Sequence, residues 1–205
     1  MRASTAARTR PGVEQQRDTI CDAAVDLFVE RGLSAVSVSE ICRAASVSRD
    51  TFYRCFADKD ALVDYVYQTS VNAHIERVVD SWQLDYSNPV WLHEVCDQTI
   101  DAILKEHRVA QFLFLESTDP RSPAYAAIRR AYHHAIERMQ QWCRDNGVEV
   151  PSQELLFSLL VATQWLVHNA IVEGMKPRHV TKAKAAAEQL FYALFSSLQG
   201  APQAR

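Results

Sequence analysis

Glycine is scarce in this chain of 205 residues, which has only five, at positions 12, 32, 147, 174 and 200. Their spacing excludes the glycine-rich loops that hold phosphates, both G-x-G-x-x-G and the P-loop, because each of these loops needs closely spaced glycines. The nucleophile elbow G-x-S-x-G of many hydrolases is excluded for the same reason. No other catalytic motif is present, so we expect a protein that is not an enzyme and needs no cofactor.

Paired cysteines are also missing. The five cysteines are dispersed and show no C-x-x-C spacing. The first apolar segment carries Asp22 and Asp26, unlike a signal peptide. These features predict reduced thiols and a cytoplasmic location. A redox role for Cys55 or Cys143 is left open.

Two further patterns fall short of a metal site or a membrane span. In His93-Glu94-Val95-Cys96-Asp97, an aspartate stands where H-E-x-x-H needs its second histidine. His133 and His134 are adjacent and would point about 100° apart on a helix, too far to hold one metal ion together. The apolar stretch 155–172 contains several polar residues, which predicts a buried or interface helix. We expect no metal site and no membrane span.

Helical periodicity, by contrast, runs through the whole chain. Apolar residues at 20, 23, 24, 27 and 28 form one stripe of a helix over 13–31, and Gly32 is placed to end it. Similar patterns predict helices at about 38–45, 48–56, 60–80, 89–106, 108–117, 121–145, 152–174 and 179–199. The chain is therefore expected to be all-α, with about nine helices.

Two short helices joined by a tight turn predict a helix-turn-helix motif over about 37–56. Ser37-Val38-Ser39-Glu40 has the sequence of a capping box, Ser48 is placed to cap the next helix, and Asp58 the one after. The second helix of such a motif lies in the major groove of DNA. Its predicted outward side chains are Arg49, Asp50, Thr51, Tyr53 and Arg54.

The segment 48–62 resembles the signature of TetR-family regulators. Thr51-Phe52-Tyr53-Arg54-Cys55-Phe56 follows the family's Thr-x-Tyr-x-x-Phe, and Lys59-Asp60-Ala61-Leu62 follows its Lys-x-x-Leu. The resemblance covers about residues 14–65, including the first helix of the motif. Ser46 departs from it, because the family usually has glycine in this turn. If the turn needs a positive φ, serine costs on the order of 1 kcal/mol there.

The resemblance implies a homodimer that binds double-stranded operator DNA. It places a flexible basic arm at 1–13, a DNA-binding domain at 14–60, a ligand-sensing and dimerisation domain at 61–199, and a tail at 200–205. It assigns Ser37, Tyr53 and Lys59 to phosphates, and Arg49, Asp50 and Thr51 to bases. Arg8 and Arg10 would enter the minor groove. Ser48 and Arg54 complete the predicted DNA-binding set.

The aromatic residues of the larger domain predict a small, mainly apolar, ring-containing effector. The candidate ligand-binding residues are Phe112, Glu116, Trp142, Gln164, Trp165 and His168, and the candidate dimer-interface residues are Leu160, Leu190 and Leu194. The predicted function is a repressor that the effector releases from a palindromic operator. The alternative is an effector-free, TetR-like structural or protein-partnering factor. A cavity of the order of several hundred Å³ would favour the first, and a closed core the second.

Overall fold

The computed structural model describes residues 12–72 and 84–199. These residues form nine α-helices and no strand, which confirms the all-α prediction. They divide into two compact units, of which the first ends at Leu62 and the second begins at Val63. The helices are α1 (Val13–Arg31), α2 (Val38–Ala44), α3 (Arg49–Cys55), α4 (Lys59–Val66), α5 (Pro89–Lys105), α6 (His107–Glu116), α7 (Pro123–Asp145), α8 (Gln153–Val172) and α9 (Pro177–Gln199).

Local hydrogen bonds set the helix ends in the first unit. At the end of α1, the N–H of Gly32 donates to the carbonyl of Phe28 at 2.9 Å. At the start of α2, the Ser37 hydroxyl accepts from the Glu40 N–H, and the Glu40 carboxylate accepts from the Ser37 N–H at 2.8 Å. The Ser48 hydroxyl accepts from the Thr51 N–H at 3.1 Å and begins α3. The predicted capping box and cap are confirmed.

The turn between α2 and α3 holds one residue in the left-handed region. Ser46 has a φ of 54°, a conformation in which a side chain with a Cβ atom is strained. The turn is closed on either side of it, because the N–H of Val47 donates to the Cys42 carbonyl at 2.9 Å. This is the position where the chain departs from the glycine usual in the family.

The core of the first unit joins its three helices. Ile20 and Ala24 of α1, Ile41 of α2 and Phe52 of α3 have no solvent exposure. Burial of these side chains stabilises the unit by about 1.5–3 kcal/mol for each large residue. The buried face of each short helix therefore determines which face points away from the unit.

The helix after Asp58 differs from its prediction. The N–H of Ala61 bonds the Asp58 carboxylate at 2.7 Å, as the predicted cap requires, but α4 ends at Val66 and continues as a π-helical turn, Tyr67–Asn72. The Thr69 hydroxyl donates to the Tyr65 carbonyl at 2.8 Å and competes with the backbone for that acceptor. The rest of the predicted helix lies outside the described residues.

In the second unit, α9 packs along α8 and α5. An aromatic cluster lies at this junction. Tyr86 stacks on Phe195 of α9 with ring centroids 4.5 Å apart, and meets Trp91 of α5 and Trp142 of α7 edge-on at 5.0 and 5.4 Å. The cluster is a densely packed part of the core and holds the ends of three helices together.

Ion pairs between α5 and α9 supplement this packing. The Lys184 ammonium lies 2.8 Å from Asp97 and 2.6 Å from Asp101, and His93 lies 2.9 Å from Glu188. The residues that resembled part of a zinc motif are thus used between helices. Within 12–72 and 84–199, no three His, Cys, Asp or Glu side chains are grouped to hold a metal ion.

Helix α8 is unusually apolar. By length and composition alone, this helix could cross a membrane. Its most apolar stretch has a mean hydropathy of 1.7, and 33% of that stretch is buried in the protein. Four large hydrophobic side chains of this helix are exposed instead, namely Leu155, Val161, Trp165 and Val172. Val161, Trp165 and Val172 are four and seven residues apart and so lie on one face of the helix, with Leu155 about 100° to its side. We call the four residues together the α8 face.

All five cysteines are free. Cys42, Cys55, Cys96 and Cys143 are buried, and Cys21 is half-buried. Burial raises the pKa of the Cys21 and Cys96 thiols to about 12. These thiols therefore stay protonated and unreactive at neutral pH.

Replacing Ser46 with glycine should relieve the strain at φ 54°. Glycine adopts this conformation freely but gains freedom in the unfolded chain, so the free energy of unfolding should rise by no more than about 1 kcal/mol. Denaturant titration measures the change. Ser46→Ala retains a Cβ and serves as the control. Equal stabilities for the glycine and alanine variants would contradict this account of the turn.

Candidate nucleic-acid interface and ligand cavity

Helix α3 presents a polar face to solvent. Its Phe52 and Cys55 side chains are buried, whereas Arg49, Asp50, Tyr53 and Arg54 are exposed and Thr51 is half-buried. Of the five side chains predicted to point outward, four are therefore exposed, and none belongs to the buried core. Cationic, hydroxyl and aromatic groups on such a face suit both base edges and phosphates of DNA.

Two of these side chains are arranged around one another. An Arg49 Nη2 donates to the Tyr53 hydroxyl at 3.4 Å, and the guanidinium lies 5.9 Å from the centre of the Tyr53 ring. Arg49 and Tyr53 are separated by one helical turn, and both are exposed. The ring thus holds the guanidinium near the first turn of α3, which is the part that meets bases in a helix-turn-helix.

Two other arginines attach α3 to α1. Arg54 donates from Nη2 to the Gln16 amide oxygen at 2.6 Å, and Gln16 is itself buried. Arg17 of α1 donates from Nε to the Cys55 carbonyl at 3.3 Å. Part of the Arg54 guanidinium is therefore engaged within the unit, so this residue positions α3 as well as facing solvent.

Lys59 and Ser37, both predicted to contact phosphates, also hold the unit together. The Lys59 ammonium donates to the carbonyls of Leu33 and Val36 at 2.7 and 3.0 Å. The Ser37 N–H and hydroxyl bond Glu40, which lowers the pKa of that carboxyl to about 2. Their phosphate contacts stay predictions, and Arg8 and Arg10 lie outside the described residues.

A cavity of about 220 Å³ lies in the second unit. Its wall is almost wholly apolar and comes from helices α5 to α9, from the π-helical turn and from the segment before α5. The lining residues are Tyr67, Leu84, Tyr86, Trp91, Val95, Cys96, Thr99, Ile100, Ile103, Phe114, Ile128, Ala131, Tyr132, Ala135, Arg138, Met139, Leu160, Thr163, Gln164, Val167 and Phe191.

One hydrogen-bonded chain crosses the cavity wall. The Tyr132 hydroxyl donates to the Gln164 amide oxygen, and Gln164 Nε2 donates to the Ser117 hydroxyl at 3.2 Å. Ser117 in turn donates to the Phe114 carbonyl at 2.8 Å. Burial raises the pKa of Tyr132, so its hydroxyl stays protonated and able to donate. The chain connects α7 and α8 to the last turn of α6.

Of the six residues predicted to bind a ligand, only Gln164 lines the cavity. Phe112 is a core residue with 1% exposure, and Trp142 belongs to the aromatic cluster. Trp165 is 62% exposed on the α8 face and stacks on His168 at 5.7 Å. Glu116 is half-buried at the end of α6.

His168 is the remaining candidate, and it is buried outside the cavity wall. Its Nδ1 has no hydrogen-bond partner among the described residues. Burial lowers the pKa of the imidazole, because the charged form would lose its hydration. The side chain therefore stays neutral near pH 7.

Sequence reasoning missed the contribution of α7 to the cavity. The cavity-lining residues of α7 follow the pattern i, i+3, i+4, i+7 and i+10, so they share one face of the helix; they are Ile128, Ala131, Tyr132, Ala135 and Arg138. Tyr132 and Arg138 are polar residues on that apolar stripe. These two polar residues could have indicated the cavity from the sequence, because a polar residue on a buried face needs a partner or a ligand.

The three residues predicted at a dimer interface lie in different environments. Leu160 lines the cavity, and Leu194 packs against the aromatic cluster. Leu190 is 39% exposed on α9. The larger exposed apolar surface is the α8 face. It includes Val161, which follows Leu160 in the sequence.

Residues 20–66 match the domain described as bacterial regulatory proteins, tetR family. Residues 20–66 therefore form a DNA-binding domain of the TetR family. Among curated relatives it is similar to the HTH-type transcriptional regulator AcrR of Shigella flexneri, with 35% identity over 65 residues. That match covers 32% of this chain and 30% of AcrR. The chain thus matches less than a third of this relative's length.

Over most of the chain, the fold is similar to that of TetR-family structures. A TetR-family regulator from Syntrophomonas wolfei aligns with a TM-score of 0.70 and 15% identity, over 88% of this chain and 96% of that one. The regulator FadR from Bacillus subtilis, solved in complex with stearoyl-CoA, aligns with a TM-score of 0.64 and 19% identity, over 85% and 97% of the two chains. At these identities the likeness shows the fold alone.

Replacing Lys59 with methionine should destabilise the first unit. Methionine keeps most of the aliphatic stem but leaves the Leu33 and Val36 carbonyls without their donor. A lost hydrogen bond to a charged group costs about 1.5–3 kcal/mol, less at a partly exposed site, so we expect a loss of about 1–2 kcal/mol. Thermal unfolding measures it, with the exposed Lys182→Met as the control. Equal stabilities of the two variants would contradict the structural role.

Proposed function

We propose that this TetR-family protein is a transcriptional repressor that binds a palindromic operator as a homodimer and is released from it by a small, mainly apolar effector. The observation that carries the proposal is the exposed surface of α3, where Arg49, Asp50 and Tyr53 reach solvent while Phe52 is buried. Arg49 suits a guanine, which offers two acceptors in the major groove. Tyr53 suits a phosphate, and the roles of Ser37, Ser48, Thr51 and Lys59 follow the resemblance.

The α8 face supports the homodimer. Leu155, Val161, Trp165 and Val172 expose 42–62% of their surfaces, and large apolar surfaces of this kind mark protein contacts. A second copy of the chain would bury them through a two-fold contact, with Leu190 at its edge. Two recognition helices related in this way would read two half-sites, which makes the operator palindromic.

The cavity supports an effector and disfavours the effector-free alternative. The cavity is lined as small-molecule sites are, by hydrophobic side chains with a few polar groups, and its volume of about 220 Å³ is below the roughly 300–1,000 Å³ of sites for drug-sized ligands. The Bacillus subtilis FadR structure is described as a complex with stearoyl-CoA, so this fold accommodates a ligand with a long acyl chain there. In the present chain, Tyr132 and Gln164 would orient the effector by hydrogen bonds.

Release requires that the effector bind the two states of the protein unequally. A molecule with equal affinity for the DNA-bound and free forms shifts nothing. Binding beside Gln164 would alter the hydrogen-bonded chain to Ser117 and hence the end of α6. By linkage, operator DNA then weakens effector binding by the same factor.

Replacing Arg49 with alanine should weaken operator binding by about 1–3 kcal/mol and relax the preference for one base pair, because a guanidinium that reads guanine would be lost. Fluorescence anisotropy with the operator and its single-base variants measures both effects. Arg144→Ala, at the exposed end of α7, is the control. Wild-type affinity and preference in Arg49→Ala would overturn the role of α3.

Introducing glutamate at Val161 should raise the dimer dissociation constant at least about tenfold, since burying one unpaired charge costs more than 1.4 kcal/mol. Sedimentation equilibrium measures it. Val90→Glu serves as the control, because Val90 is 64% exposed on α5, away from the α8 face. A wild-type protein that stays monomeric at micromolar concentration would refute the dimer.

A further inference from the structure

Trp91 carries a buried hydrogen-bond donor that the protein does not satisfy. The residue is 7% exposed, and within residues 12–72 and 84–199 no acceptor lies within hydrogen-bond distance of its indole Nε1. The ring meets Tyr86 edge-on with centroids 5.0 Å apart, but an aromatic ring is a weak acceptor. A buried donor without an acceptor destabilises the folded protein, so an acceptor brought by a ligand would bind favourably here.

Trp91 is also part of the cavity wall. It lies in the first turn of α5, where the Asn88 side chain accepts from its backbone N–H at 3.3 Å and holds the main chain in place. The ring packs into the aromatic cluster and also borders the void. Because a void offers no atoms to resist movement, a small rotation of the ring can bring its N–H to an oxygen atom in the cavity.

Other polar groups of the wall already have partners. The Tyr132 hydroxyl donates to the Gln164 amide oxygen. The Thr163 hydroxyl donates to the backbone carbonyl four residues earlier at 3.0 Å, and Arg138 interacts with another group of the protein. Trp91 differs from these residues, because its donor is left available to a ligand.

A single neutral donor selects the chemical group that meets it. A carboxylate would exchange its hydration for one neutral hydrogen bond, which does not offset the cost of burying a charge. A hydroxyl can accept from the indole, but it brings a donor of its own that then needs a partner. The carbonyl oxygen of a ketone, an ester or a lactone accepts without adding a donor or a charge.

We propose that the cavity takes an apolar molecule with an uncharged carbonyl group, whose oxygen accepts a hydrogen bond from the Trp91 indole N–H. The inference rests on the proposed effector site and names its ligand class. Because the cavity measures about 220 Å³, a ketone carried on two fused aromatic rings is a suitable probe.

Two naphthalene probes of the same shape isolate the carbonyl. Isopropenylnaphthalene has a methylene group where acetylnaphthalene has its oxygen. The chain has four tryptophans, so the indole N–H region of a heteronuclear NMR spectrum is simple, and the signal missing from Trp91→Phe is that of Trp91. Acetylnaphthalene should move this proton downfield, as a new hydrogen bond does. Isopropenylnaphthalene has the same ring currents and should move it much less; equal shifts would overturn the proposal.

Affinities of variants identify the contact. Isothermal titration of the full-length protein gives the ratio of ketone to alkene affinity, in which the contribution of the shared rings cancels. Trp91→Phe should lower this ratio at least about fivefold, because the carbonyl is then buried without a donor. The alkene affinity reports whether the cavity is intact. Trp142→Phe, in the same aromatic cluster but outside the cavity wall, should keep the wild-type ratio.

Three results of these titrations would overturn the ligand class. They are an unchanged ratio in Trp91→Phe, tighter wild-type binding of naphthoate than of acetylnaphthalene, and no binding of acetylnaphthalene up to its solubility limit. Tighter naphthoate binding in particular would show that the site favours an anion.

Operator titration separates this inference from the proposed function. Acetylnaphthalene binding through Trp91 without any change in operator affinity would uphold the ligand class and refute effector release. Release by isopropenylnaphthalene as effective as that by acetylnaphthalene, and unaffected by Trp91→Phe, would uphold the repressor and refute the carbonyl site.

Discussion

Phe52 has no solvent exposure, and its burial determines the orientation of α3. In a helix of seven residues, one fully buried ring fixes which side chains face away from the core, and here Arg49 and Tyr53 are among the exposed ones. Hydrogen bonds from Arg54 and Arg17 then prevent α3 from turning about its axis relative to α1. The proposed contacts with DNA depend on this arrangement, since a rotated helix would present different side chains.

The second unit combines dense packing with a void. Tyr86, Trp91 and Met139 belong both to the buried cluster around Phe195 and to the cavity wall. One side of each therefore has close neighbours, and the other lacks the atomic contacts that a filled core provides. The ion pairs of Lys184 between α5 and α9 stabilise the cluster side. A ligand would supply the missing contacts on the other side.

The first unit was predictable from sequence because the signals for it are local. Ser37, Glu40 and Ser48 lie within three residues of the backbone groups that they cap, so spacing alone identified the helix ends. The cavity was not predictable in the same way. Periodicity shows which face of a helix is buried, but not whether that face meets a side chain or a void. Trp142 and Trp165 illustrate this, since one packs into the cluster and the other is exposed.

Polar residues on buried faces proved more informative than aromatic ones. Gln164 was identified because it interrupts an apolar stretch, and it lines the cavity. Tyr132 and Arg138 interrupt the stripe of α7 in the same way. Buried polar groups are costly without partners, so their positions carry information about a site, whereas large hydrophobic residues are needed throughout any core.

The buried cysteines have a practical consequence for spectroscopy. Because burial raises the pKa of Cys21 and Cys96 to about 12, and raises those of Cys42 and Cys143 as well, few native thiolates form at neutral pH. Cys55 is also buried. A single cysteine introduced on an exposed helix face would therefore react with maleimide dyes or spin labels far faster than the native thiols. Distances between labels could then be followed in solution without first removing the natural cysteines.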